Sequence, residues 1–214
     1  MRWVFALVLS LVAGVGALYG LTSGFTALTA ETARRQAIAA RPQVLPPVRV
    51  LDAAGGVLPL QQDLRRDGRV AIVNFFYTRC NALCLAQGSL TEQLQQAIRA
   101  EGLQDKIRLI SLSFDARDRA DDLARYGARM GADPGIWQFL TLTEADSRQA
   151  LLDQFGLVVV PAPLGEFEHN AALHLVTPDG RLVRIFDLDE PGLALKTAQA
   201  LADSPRPAVS EGPS

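Results

Sequence analysis

The chain has 214 residues, a formal net charge of -2 and a pI near 5.7, so it offers no broad basic surface for neutralising phosphates, and nucleic acid is set aside as a partner. With 49% hydrophobic and 21% charged residues it is neither disordered nor fibrous, and its length suits one core of roughly 150 residues plus extra segments. Its only two cysteines, Cys80 and Cys84, exclude a disulfide framework and leave a local disulfide, a redox couple or two ligands of one metal.

Residues 3–30 carry no charge and 3–21 are almost wholly apolar, matching the about 20 residues that a helix needs to cross a bilayer. A cleaved signal peptide has a shorter apolar run of roughly 7–15 residues. Residues 1–30 are therefore expected to form an uncleaved, single-pass transmembrane anchor. Arg2 lies on one side of it and Arg34, Arg35 and Arg41 on the other, a count that by the positive-inside rule places the domain in the cytoplasm. The likeness of a short amino-terminal anchor to a signal sequence, and the paired thiols common in exported proteins, favour the opposite topology. The expectation is the inner cell membrane, with the domain on the extracytoplasmic, periplasmic side.

Residues 31–47 are polar and Ala-rich and end in Pro46-Pro47, as in a juxtamembrane linker. The globular domain is expected over 48–202 and a disordered Pro/Ser/Gly-rich tail over 203–214. Within the domain, 48–52 and 57–60 flank Gly55-Gly56 as a small hairpin. The run 70–77 (VAIVNFFY) reads as a central strand buried on both faces. Leu90, Leu94 and Ala97 give 88–100 helical spacing, and 107–114 (IRLISLSF) returns to strand chemistry, completing a β-α-β unit. Amphipathic helices follow over 119–130 and 144–155, with a strand at 137–142 between them. Residues 173–177 and 181–186 flank Pro178-Asp179-Gly180 as a β-hairpin, and a last helix runs over about 192–202. No internal repeat is present. The order of elements is that of a single α/β domain, and thioredoxin-like folds have it.

Cys80 lies just after the central strand and Cys84 in or near the first turn of the following helix, so that at i and i+4 their sulfurs can meet. Helix amino termini favour the thiolate, the form that attacks disulfides and binds metals. His169 follows Glu168 after a loop containing Pro161, Pro163 and Gly165; a lone histidine there is more often a surface residue than a ligand. His174, inside the apolar strand, reads as a half-exposed strand residue, and Met130, mid-helix, as core packing. Two thiolates with an imidazole suit copper, since closed structural zinc sites usually have four Cys or His ligands.

Three segments resemble the Sco/SenC family of copper chaperones, over roughly residues 48–201. They are Asn74-Phe75-Phe76-Tyr77-Thr78-Arg79-Cys80-Asn81-Ala82-Leu83-Cys84, Ser111-Leu112-Ser113-Phe114-Asp115 with Arg117-Asp118, and Glu168-His169-Asn170 leading into Thr177-Pro178-Asp179-Gly180. The resemblance implies a thioredoxin-like fold, a copper ion bound by Cys80, Cys84 and His169, and delivery of that ion to the dinuclear copper centre of cytochrome c oxidase. The copper-receiving oxidase subunit and a thiol reductant are the implied partners. The chain departs from the family pattern at Asn81, Leu85 and Ala116, where proline is common, and at Glu168, where Asp is usual.

Two other functions use the same thiols. One is a thiol-disulfide oxidoreductase, redox-active at Cys80 and Cys84, that reduces the target's cysteines without carrying copper. The other is a thiol peroxidase in which Cys80 attacks peroxide and Cys84 resolves. A chaperone needs His169, and a dithiol reductase does not.

Overall fold

A computed structural model of the chain describes residues 2–21, 30–80 and 83–204. The tail expected over 203–214 lies outside them from residue 205, as do residues 22–29 of the expected anchor. The chain divides into two compact units, Met1–Pro42 and Gln43–Ser214.

The first unit holds two helices, α1 (Arg2–Leu21) and α2 (Ala30–Ala40). Helix α1 has 20 residues, with Arg2 its one charge. Among the described residues no helix is long and apolar enough to cross a membrane, and the side chains of several α1 positions lie outside that set. Helix α2 forms within the stretch expected to be linker, held by Glu31 paired at 2.8 Å with both Arg34 and Arg35, three and four residues along.

The second unit is built on an eight-stranded sheet. Its strands are β1 (Gln43–Val44), β2 (Arg49–Asp52), β3 (Val57–Pro59), β4 (Val70–Phe76), β5 (Ile107–Ser113), β6 (Trp137–Leu142), β9 (Leu173–Val176) and β10 (Arg181–Phe186), in the order β1-β10-β9-β4-β5-β6-β2-β3. Two short strands, β7 (Val159–Pro161) and β8 (Phe167–His169), pair separately. The pairs β4/β5 and β5/β6 are parallel and the rest antiparallel. The run expected as a central strand is β4, buried at every position, because helices cover both of its faces.

Successive β4 side chains point to opposite faces and sort the helices into two layers. Asn74 and Phe76 face α4 (Leu83–Ala100) and α5 (Ala120–Arg129), through Thr91 and Tyr126 respectively. Val73 and Phe75 face α3 (Leu60–Asp67) and α6 (Ala145–Phe155), through a cluster that includes Leu64 and Phe155. Helix α7 (Pro191–Asp203) packs beside α4 and against β4. The hairpins expected around Gly55-Gly56 and at Pro178-Asp179-Gly180 both form. At the second, Gly180 takes a φ of 79°, a conformation that L side chains rarely adopt, and its N–H donates to Thr177 O at 2.9 Å.

Two expectations are corrected. His174 is not half exposed but 2% exposed, because β9 is an interior strand flanked by β4 and β10. Its ring lies edge-on to Phe75 and Phe155, with Nδ1 3.3 Å from Val73 O and Nε2 3.2 Å from Phe155 O. Met130 is not mid-helix but caps the C-terminus of α5, half-buried, with its sulfur against Gly88 of α4.

Candidate metal centre

At the C-terminal end of β4 the chain leaves the sheet as Tyr77-Thr78-Arg79-Cys80, a turn whose Cys80 N–H donates to Tyr77 O at 3.4 Å. Cys80 is half-buried and stands before α4 rather than in it, whereas Cys84 is the second residue of that helix. The side chain of Cys84 lies outside the described residues. The C-terminal ends of parallel strands are where open α/β sheets place their sites.

The turn is tied down by the end of the neighbouring strand. Buried Asp118 accepts the Thr78 N–H at 2.9 Å, the Thr78 hydroxyl at 2.6 Å and the Ser113 hydroxyl at 2.6 Å. Arg79 pairs with Asp115 at 2.9 Å and lies 3.6 Å from Asp118. Asp115 also accepts from Arg117, from Nη2 at 2.9 Å and from Nε at 3.0 Å. Burial by itself would raise the Asp115 pKa, but the hydrogen bonds from Arg117 and Arg79 outweigh it and hold the carboxyl at about 2.

Arg117 and Tyr77 carry the connection on to His169. Arg117 donates to Gly165 O at 2.9 Å and lies 5.4 Å over the Phe167 ring. The Tyr77 hydroxyl accepts the Phe167 N–H at 3.2 Å. Tyr77, Phe114 and Phe167 form a ring cluster with centroids 5.3–5.6 Å apart, and His169 stacks edge-on against Phe114 at 4.9 Å and Tyr77 at 6.4 Å. On the other flank, Asn170 accepts the Val158 N–H at 2.8 Å and donates to Gly156 O at 2.9 Å. The β7/β8 hairpin is thereby fixed at one side to the Cys80 turn and at the other to the end of α6.

The imidazole of His169 is held in one tautomer. Nδ1 lies 2.9 Å from the Asn170 carbonyl oxygen, which only accepts, so Nδ1 carries the proton and Nε2 the lone pair. Nε2 is buried and, among the described residues, has no hydrogen-bond partner. Burial lowers the pKa of the ring below its ordinary value, against a smaller opposing effect of the Asn170 carbonyl, so the ring is neutral at pH 7.

Of the residues singled out from the sequence, Cys80 and His169 are therefore both anchored on Tyr77, while His174 lies in the core. Among the described residues no group of three or more His, Cys, Asp or Glu side chains stands ready to hold a metal ion. Tyr77, Thr78, Arg117, Asp118 and Asn170 carry the positioning and were given no role from the sequence. Their contacts span 40 to 90 residues at Thr78/Asp118 and Tyr77/Phe167, which local spacing does not reveal.

A SCO1 protein homolog from Bacillus subtilis (strain 168) is 27% identical to this chain over 124 residues, 56% of the chain and 63% of that relative, so the match spans under two thirds of the relative's length. Among solved structures, BsSco, described as having a disulfide switch and as a member of the Sco family of cytochrome c oxidase assembly proteins, superposes with a TM-score of 0.63. It is 23% identical, covering 76% of this chain and 95% of its own. Yeast Sco1 with copper bound gives a TM-score of 0.62 at 18% identity, covering 78% of this chain and 92% of its own. These likenesses show the mixed α/β, thioredoxin-like fold. The sequence model of SCO1/SenC matches residues 50–202, more than half of the chain, and the chain belongs to that family.

Proposed function

We propose that this protein is a metallochaperone that carries a copper ion on the Cys80 and Cys84 thiolates and His169 Nε2 and delivers it to the dinuclear copper centre of cytochrome c oxidase. The observation that carries the reading is the His169 ring, with Nδ1 held as donor and Nε2 buried and unpartnered. A buried polar atom left unsatisfied costs about 1–3 kcal/mol, and this lone pair is recovered by a cation. Joined by the two thiolates of Cys80 and Cys84, this donor set would suit copper(I), and the imidazole adds the nitrogen that copper(II) prefers. Copper bound to yeast Sco1 supports the same cargo.

Before the ion arrives, the residues here have only to keep the imidazole neutral and the thiols reduced, and a thiol reductant serves the second need. Residues 48–202 form the copper-binding domain. Residues 1–30 anchor it to the inner membrane on the periplasmic side, and the stretch 31–47 that joins the two holds α2 and, at its end, β1. What supports the anchor is the uncharged, almost wholly apolar run over 3–21 in the sequence, about the length that a helix needs to cross a bilayer. Fractionation tests the anchor, since a chain lacking residues 1–30 leaves the membrane fraction in this account and stays there if the anchor is elsewhere.

A second reading, a thiol-disulfide oxidoreductase acting without copper, is favoured by the disulfide switch described for BsSco. Metal analysis of the full chain purified in detergent separates the proposals. About one copper per reduced chain, lost in the Cys80→Ser/Cys84→Ser double variant, supports the chaperone, whereas equal copper in both proteins removes the site.

A further inference from the structure

The turn that carries Cys80 sets two arginines on the lip of the site. Arg79 and Arg117 are each 47% exposed, and both donate from Nη2, at 2.9 Å, to the same oxygen, Asp115 Oδ2. Asp115 is buried, and so is Asp118, 3.6 Å from Arg79. The carboxylates therefore lie beneath the surface and the guanidinium groups at it. Arg119, two residues after Arg117, is a third exposed arginine, and no ion pair holds it among the described residues. Three cations over two buried carboxylates leave this lip positive in a chain whose formal net charge is -2.

Both guanidinium groups keep donors free. Arg117 engages Asp115 through Nε and Nη2, and Gly165 O through Nη2, so that among the described residues Nη1 has no hydrogen bond. Arg79 engages Asp115 through Nη2 alone, which leaves Nε and Nη1. A guanidinium is a planar fork of donors that matches a carboxylate, and two forks fixed by one buried acid need little further ordering to receive another. Their place is specific. Arg79 directly precedes Cys80, and Arg117 grips the loop four residues before His169. The β7/β8 hairpin exposes Glu166 and Glu168 instead, so the two sides of the site differ in sign and a charged partner is oriented as well as attracted.

We propose that Arg79 and Arg117 form a docking lip for a protein partner that carries carboxylates beside the cysteine or disulfide it brings to Cys80. Side chains this exposed meet a partner across a surface, which suits a protein segment more than a small enclosed anion. Rim charges act on encounter rate and salt dependence, over about 10 Å at 0.1 M ionic strength, so neither guanidinium has to touch the Cys80 sulfur. The inference rests on reading Cys80 as a working thiol, in a chaperone or an oxidoreductase alike, and needs no copper to be tested.

The test uses the full-length Cys84→Ser chain in detergent, in which Cys80 is the one thiol. Three peptides are offered, each with a single cysteine activated as its thiopyridyl disulfide and flanked by aspartates, asparagines or lysines. The Cys80 thiolate attacks the peptide sulfur, the mixed disulfide forms, and pyridinethione leaves and reports the rate by its absorbance. At low ionic strength the aspartate peptide reacts about fivefold faster than the asparagine peptide, and the lysine peptide slower than both. Salt at about 0.5 M removes the difference. Arg79→Gln/Arg117→Gln brings the aspartate-to-asparagine ratio to within about twofold of unity, whereas Arg79→Lys/Arg117→Lys keeps it, as does Arg181→Gln, an exposed arginine on another hairpin. The ratio cancels any change in the intrinsic reactivity of Cys80, and if the glutamine pair fails to fold, the salt series with both arginines present decides alone. A ratio near unity with the arginines present, no loss of it in salt or in the glutamine pair, or an equal loss in Arg181→Gln overturns the proposal. Acceleration of a small aromatic dicarboxylate disulfide without acceleration of the aspartate peptide overturns it too, in favour of a small anion. Should the asparagine peptide react while the aspartate peptide gains nothing, the docking lip falls and the thiol reading stands; should Cys80 react with none of the peptides, both fall.

Discussion

Replacing Asp118 by alanine removes the acceptor of three hydrogen bonds at once, from the Thr78 N–H, the Thr78 hydroxyl and the Ser113 hydroxyl, and leaves Arg79 with Asp115 alone. The two hydroxyls can rotate toward other acceptors, but the Thr78 N–H cannot. Hydrogen bonds to a charged group contribute about 1.5–3 kcal/mol each, and breaking a buried charged network by removing one partner costs about 3–5 kcal/mol, the range expected here. For a folded unit of this size, about 2–4 °C per kcal/mol converts that to a fall in Tm of roughly 6–20 °C. Asp118→Asn keeps one oxygen to accept from Thr78 and loses about 1–2 kcal/mol. Calorimetry of the three proteins checks the order. Because Thr78 leads directly into Cys80, the alanine variant also loses copper affinity beyond what its residual folded fraction explains. An alanine variant melting within about 3 °C of wild type, with unchanged copper binding, refutes the claim that Asp118 ties down the cysteine turn.

The acid limb of stability follows from Asp115. Its carboxyl has a pKa of about 2 when folded against an ordinary value of 3.8, so the stabilisation is fully present above pH 3.8 and is lost as the pH falls toward about 2. Asp115→Asn flattens stability across that window in acid titrations followed by circular dichroism, and an unchanged slope contradicts the assignment. His174→Ala removes a buried ring packed between Phe75 and Phe155 and costs about 2–4 kcal/mol in denaturant unfolding. The same variant keeps its copper at temperatures where it is folded, and loss of copper from the folded variant would make His174 part of the site.

The central strand was legible because VAIVNFFY is continuous β-branched and aromatic sequence, which only a strand covered on both faces accommodates. The parallel unit after it was legible for the same reason, and helix α4 from the spacing of Leu90, Leu94 and Ala97. The β7/β8 hairpin was not. Each strand has three residues, one of them ends in Pro161, and the pair is held by Tyr77 and Arg117 from distant parts of the chain and by Asn170, directly after β8, reaching back to Val158. His169 alone could be singled out, while the hydrogen bond that sets its tautomer depends on how Asn170 turns the backbone after β8. His174 was misjudged because a four-residue strand shows no sign in its own sequence of lying between two others. Helix α3 escaped notice because LQQDLRRD has only two apolar residues, Leu60 and Leu64, yet both are buried.

The central claim is that His169 is a copper ligand rather than a structural ring, and His169→Ala in the full chain tests it most directly. Copper(II) titration of the reduced protein and thiol-disulfide exchange with a small disulfide are measured on the same sample. The account predicts copper(II) held at least tenfold more weakly, since two thiolates without the imidazole lack the nitrogen donor that this ion prefers. It also predicts exchange within about twofold of wild type, because thiol reactivity is set at the start of α4 and not by β8. Copper bound as tightly as in wild type would contradict the site, and the function would pass to the dithiol oxidoreductase.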